Sequence, residues 1–173
     1  MVSCRPRGES ALAAKAKAAP IAATKIPSNN TLLTWEPRAD QFDCVVSIST
    51  IEHVGLGYSG DPLRRSGDAI ACQHLWSALK PGGKLFVTLP AGRPHEQRGY
   101  RTYDEARIRR LIPGIERLRF FRKPGRFGHW TEEDDAAKIA DLVYQDYDAL
   151  YPTEAVAIVE ARKPKVRRSG SGT

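Results

Sequence analysis

Before Phe42 the chain has a single glycine, Gly8, and no G-x-G. A turn that cradles a nucleotide or phosphate needs glycine where backbone must approach its ligand closely, so no such turn stands in the first 41 residues. Cysteine is scarce: Cys4, Cys44 and Cys72 are odd in number and far apart. That excludes a disulfide framework and any C-x-x-C motif. A reducing compartment, the cytoplasm, is the simple expectation, with Cys44 and Cys72 as buried thiols. No second histidine or carboxylate stands at metal-ligand spacing, so no metal is expected. Long apolar runs are also missing. None approaches the ~20 residues that cross a bilayer, so a membrane is not an expected partner. The basic residues at the amino end are followed by no apolar core of a secretory signal.

What is present suits one soluble α/β domain. The 173 residues are 41% hydrophobic and 27% charged. The net charge of +7 is unevenly placed: residues 1–40 hold 6 Lys/Arg against 3 Asp/Glu, and 161–173 hold 5 and none. The basicity therefore belongs to the ends, which either solubilise the chain or touch nucleic acid. Residues 1–30 are Ala-rich, broken by Pro20 and Pro27, and read as a weakly ordered leader. Residues 31–162 read as the domain and 163–173 as a basic flexible tail.

The chain is organised around Phe42–Gly60. An apolar strand (Cys44, Val45, Val46, Ile48) ends in polar Ser49 and Thr50, then Glu52-His53 and a glycine-rich loop. A buried strand delivering polar groups to a loop marks the carboxyl edge of an open α/β sheet. Thr31–Trp35 reads as a short edge strand before it. After the loop, Ser66 or Asp68 caps a helix running to about Lys80, with Cys72, Leu75, Trp76 and Leu79 as its buried stripe. Pro81-Gly82-Gly83 ends it, and Lys84–Pro90 is a second buried strand, completing a βαβ unit. Residues 91–103 read as loop. Asp104 caps a helix to Leu111, Ile115–Lys123 is a strand, 132–150 a helix and 154–162 a last strand.

Charge is segregated here too. Arg93–Arg126 hold 11 basic and 4 acidic residues, and Phe127–Glu160 hold 1 and 9. Either the two segments neutralise one another, or Arg93, Arg98 and Arg101 form a basic lip for an anionic substrate. Tyr100, Tyr103 and Trp130 either line an acceptor pocket or pack. Asp43 is expected to bond backbone, and His74, His95 and His129 to be structural or exposed.

Three stretches in this order resemble class I S-adenosylmethionine-dependent methyltransferases: FDCVVSISTIEHV at 42–54, LKPGG at 79–83 and KLFVTLPAG at 84–92. The continuation GLGYSGDP at 55–62, with Gly67-Asp68, further resembles a subgroup without assigned function. The resemblance implies a Rossmann-like methyltransferase sheet that lacks its first glycine-rich βα unit and is amino-terminally truncated. It implies S-adenosylmethionine as cofactor, with Ser49, Thr50 and Ile51 lining its methionine side. It implies His53 as general base for a small-molecule or glycan-like acceptor, beside Glu52. The alternatives are a catalytically inactive binding module, since the glycine turn is missing, and a weak nucleic-acid binder using the basic ends. Glu52-His53 itself is read either as catalytic or as a cap that packs the loop.

Overall fold

The computed structural model describes residues 32–57, 60–97, 99–125, 128–143 and 155–165. The leader, the far tail and residues 144–150 of the helix expected over 132–150 lie outside the described residues.

The described residues form a five-stranded sheet and a separate two-stranded ribbon. Strand β1 (Phe42–Ile48) leads through helix α1 (Gly67–Ala78) into β2 (Leu79–Pro90), and β1 and β2 pair in parallel. This is the βαβ unit expected from the sequence. Strand β7 (Ala155–Arg162) runs antiparallel beside β2, and β5 (Ile115–Arg122) runs antiparallel beside β7. The short edge strand β6 (Thr131–Glu133) completes the order β1-β2-β7-β5-β6. The ribbon is β3 (His95–Gln97) with β4 (Tyr100–Thr102). The described residues also form helices α2 (Glu105–Leu111) and α3 (Ala136–Ala140) and a short 3-10 turn.

Burial follows the period of two. Leu85, Val87 and Leu89 of β2 and Ala155, Ala157, Val159 and Ala161 of β7 are buried. They share one cluster with Ala71, Cys72 and Leu75 of α1, Ile108 of α2 and Ile139 of α3. The small alanines of β7 let the helices approach the sheet, while larger residues on β2 fill the space between. On β1 the opposite set is open: Val46 is 60% and Ile48 67% exposed.

Several expectations are corrected. Of the strand expected over Thr31–Trp35, Thr31 lies outside the described residues and residues 32–34 form a turn, tied down where the His74 ring Nδ1 donates to the Leu32 carbonyl. Residues 91–103 hold the ribbon rather than loop alone, because Gly99 supplies the positive φ that a tight reversal needs. The segment from 131 starts as strand β6, and helix is described only over α3. Cys44 is exposed, since it shares the uncovered side of β1 with Val46 and Ile48. Cys72 is buried as expected, and burial pushes its thiol up to about 12. Asp43 bonds by its side chain, accepting from Lys80 Nζ at 2.8 Å. Asp104 caps α2 as read, accepting from the Arg107 amide at 2.7 Å.

The segregated charges meet. Strands β5 and β6 bring Arg119 against Glu132 in a two-pronged pair at 2.6 and 2.7 Å. Arg117 lies opposite Glu160 on β7.

Candidate functional site

The carboxyl end of β1 is locked to β2. The Ser49 amide donates to Thr88 Oγ1 at 3.0 Å, and Thr50 Oγ1 donates back to the Ile48 carbonyl at 2.9 Å. Ser49 has φ 44, a left-handed conformation unusual for a serine. Strain of this kind is held only where the surroundings over-determine it, and it concentrates at functional tips. Ser49 and Thr50 are exposed, whereas Ile51 is fully buried in the core. So the structure brings to the surface two of the three residues expected on the cofactor side.

A single 3-10 turn, Ile51–His53, follows. It aims two ionisable groups differently. Glu52 is 1% exposed, and its Oε2 has no hydrogen-bond partner among the described residues. Desolvation raises its pKa above the ordinary value of 4.5, with the neighbouring His53 pulling the other way. The His53 side chain is 38% exposed. Its Nδ1 lies 2.5 Å from the Gly99 carbonyl oxygen. A carbonyl only accepts, so Nδ1 carries the hydrogen and the neutral ring keeps its lone pair on Nε2. Nε2 lies 3.7 Å from Glu52 Oε1. The Tyr100 ring stands 5.9 Å from the imidazole, centroid to centroid.

Glu52 carries a pH signature. Its folded-state pKa is raised, so the folded chain holds this proton more tightly than the unfolded one. Stability therefore falls as pH rises above the unfolded value near 4.5. Glu52→Gln removes that penalty. We expect a higher melting temperature than wild type at pH 8 and little difference at pH 4. Equal shifts at both pH values would show that burial does not raise the pKa of Glu52.

The glycine loop is a closed buckle. The Arg64 amide donates to the Gly55 carbonyl at 2.7 Å and the Gly67 amide to the Arg64 carbonyl at 2.9 Å. Leu56 bridges Leu63. A Cβ on Gly67 would lie 2.4 Å from the Val54 oxygen, and one on Gly55 2.3 Å from the Arg64 oxygen. Gly55 and Gly67 thus serve backbone-to-backbone contact within the loop.

Beneath the buckle lies a polar network that sequence reading missed. Arg101 is wholly buried. Nη1 donates to the Val54 carbonyl at 2.6 Å, Nη2 to the Arg65 carbonyl at 3.2 Å and Nε to Glu96 at 3.0 Å. Asp68, 4% exposed, accepts from Arg107 at 2.9 Å and from the Tyr103 hydroxyl at 3.4 Å. Arg101 is therefore not part of a basic lip, and Tyr103, also fully buried, does not line a pocket. Arg93 is exposed, Trp130 is 49% exposed and Arg98 lies outside the described residues. The one available signal was Gly67-Asp68 beside the loop motif, an acid at a helix start that caps nothing but its own neighbour. Among the described residues no His/Cys/Asp/Glu group could hold a metal, and no helix is long and apolar enough to cross a membrane.

Residues 22–130 match the family model described as "Caenorhabditis protein of unknown function, DUF268". The chain belongs to the DUF268 family. No curated protein matches this DUF268 chain. Among solved structures, it is similar to a candidate methyltransferase of Bacillus halodurans, with 13% identity and a TM-score of 0.50 over 79% of this chain and 70% of that one. It is similar to a SAM-dependent methyltransferase of Methanosarcina mazei, with 11% identity and 0.49 over 79% and 66%. A SAM-dependent methyltransferase of Thermotoga maritima gives 15% identity and 0.43 over 78% and 62%. The DUF268 chain thus spans about two thirds of the length of these proteins. The likeness to the Bacillus protein carries the fold: this is a class I methyltransferase-like α/β sheet.

Proposed function

We infer that the chain supplies the acceptor side of an S-adenosylmethionine-dependent methyl transfer to a small-molecule or glycan-like hydroxyl or amine. The observation that carries this reading is the Glu52-His53 pair at the carboxyl end of β1, with Nδ1 tied to Gly99 and the buried Glu52 carboxyl 3.7 Å from Nε2. When bound, S-adenosylmethionine would supply an electrophilic methyl group. The chain's own residues would do the rest. Ser49 and Thr50 would line the methionine side of the cofactor, with Ile51 packed behind them. His53 Nε2 would take the proton that the acceptor loses, and Glu52 would steady the imidazolium that results. Transfer is an in-line displacement, so positioning by a rigid tip matters more than covalent chemistry.

The described residues fit one wall of such a site. The burial of Glu52, whose Oε2 has no partner among the described residues, and the left-handed Ser49 support that reading. The described residues hold no glycine turn and no acidic strand end beside the free edge of β1, the features that grip phosphate and ribose in dinucleotide-type sites. That gap favours a second reading, a binding module without turnover. The basic ends, on which a nucleic-acid role would rest, lie largely outside the described residues. The separate free thiols of Cys44 and Cys72 suit a reducing compartment such as the cytoplasm.

Calorimetric titration with S-adenosylhomocysteine tests the choice. The methyltransferase reading expects saturable heat and about 2.7 kcal/mol of added stability at a hundredfold excess over the dissociation constant. Ser49→Ala and Thr50→Val should weaken that binding, while His53→Ala should spare it and abolish transfer. No heat and no shift at millimolar ligand would leave the binding-module reading.

A further inference from the structure

We propose that Arg101 is a positioning residue whose guanidinium sets the tautomer of His53, by clamping the loop that follows His53 to the ribbon that carries Gly99. Its catalytic meaning rests on the role given to His53 above; its test does not.

The geometry is a short closed circuit. Val54, the next residue after His53, gives its carbonyl to Arg101 Nη1 at 2.6 Å. Arg101 lies two residues after Gly99 on the ribbon. Gly99 gives its carbonyl to His53 Nδ1 at 2.5 Å. The loop and the ribbon are therefore joined twice within a few residues, once by a guanidinium and once by the imidazole. The second joint closes only while the first holds the two backbones at that separation. Nη2 extends the clamp to the Arg65 carbonyl on the far side of the buckle, and Nε is anchored by Glu96. Asp68, 3.9 Å from Nε, adds a second carboxylate around the buried cation. A planar fork can reach two carbonyls and a carboxylate together; an ammonium on a flexible stem cannot. A buried cation aimed at two loop carbonyls specifies geometry rather than adding net stability.

The readout is the imidazole itself. In the full chain labelled with 15N-histidine, two-bond nitrogen–proton spectra taken above the ring's titration should show His53 protonated at Nδ1. Arg101→Lys should turn the Nδ1–H form from the major into the minor tautomer, free imidazole favouring Nε2–H. Glu96 is partly exposed, so Glu96→Lys sets a like charge against Nε without opening the core and should lower the Nδ1–H fraction. Glu96→Gln keeps an acceptor there and should preserve it. A wild-type ring protonated at Nε2 overturns the proposal. So does a folded Arg101→Lys chain with the wild-type tautomer. If Arg101→Lys does not fold, an unchanged tautomer in Glu96→Lys overturns it instead. None of these outcomes depends on cofactor binding, so a failed titration with S-adenosylhomocysteine leaves this test intact.

Discussion

Gly55→Ala is expected to destabilise the protein by about 3–4 kcal/mol, combining a left-handed backbone penalty with overpacking. Gly55 has φ +77, and its added Cβ would sit 2.3 Å from the Arg64 oxygen and 2.9 Å from the Gly67 Cα. Both obstacles are backbone, so no side chain can swing aside. The Arg64–Gly55 hydrogen bond that closes the loop would have to lengthen. Gly57 supplies the control two residues away. It has φ +69, yet nothing lies within 4 Å of its Cβ position. Gly57→Ala should therefore show only the conformational term, about 1–2 kcal/mol. For a chain of this size the difference corresponds to a melting-temperature gap of several degrees, at about 2–4 °C per kcal/mol. Equal melting points for the two variants would show that the close approach of residues 55 and 67 is not a constraint.

Asp68→Ala is expected to cost about 3–5 kcal/mol, the range for removing one partner from a buried ion pair. The carboxylate is nearly inaccessible and gathers Arg107, the Tyr103 hydroxyl and, at longer range, Arg101. Its loss strands a wholly buried phenol and leaves Arg101 with Glu96 as its remaining carboxylate. Tyr103→Phe made alone removes one donor and should cost about 1 kcal/mol. Made in the Asp68→Ala background it removes the stranded hydroxyl, so the double variant should be more stable than the sum of the singles. Urea melts of the four proteins close the cycle. Additive costs would mean that the hydroxyl and carboxylate do not interact. Being buried, the effect should also survive high salt, which surface pairs do not.

The elements carried by periodic apolar residues were legible. The βαβ unit from Phe42 to Pro90, the strands at 115 and 155 and the Asp104 cap each follow from spacing or capping chemistry that needs no partner elsewhere. What could not be read was anything decided by distant contacts. Cys44 lies on an apolar strand, and only the packing of the helices against the other face of the sheet shows that its side of β1 is uncovered. The stretch expected as a strand over Thr31–Trp35 has strand-forming residues, but over residues 32–34 a turn pinned by the distant His74 takes its place. Arg101 reads as one basic residue among many, because no local pattern distinguishes a guanidinium bound to Val54 and Arg65 from one in water. The Glu52-His53 pair was visible as a pair. That one is buried and the other held by Gly99 depends on a ribbon more than 40 residues further along.

The place of β7 has a consequence for how the chain assembles. The strand nearest the carboxyl end is an interior strand of the sheet, paired to β2 on one side and β5 on the other. Lys84 and Glu160, bonded across the first of these seams, are 76 residues apart. During synthesis, at about 5–20 residues per second, β1, α1, β2 and β5 therefore emerge seconds before the strand that joins them. Until then β2 and β5 each present an open edge, and the small-residue floor on which the helices rest is absent. Such late, long-range closure slows folding and leaves edges open to wrong partners. A nascent DUF268 chain is thus most exposed to aggregation in the interval between completing β5 and inserting β7.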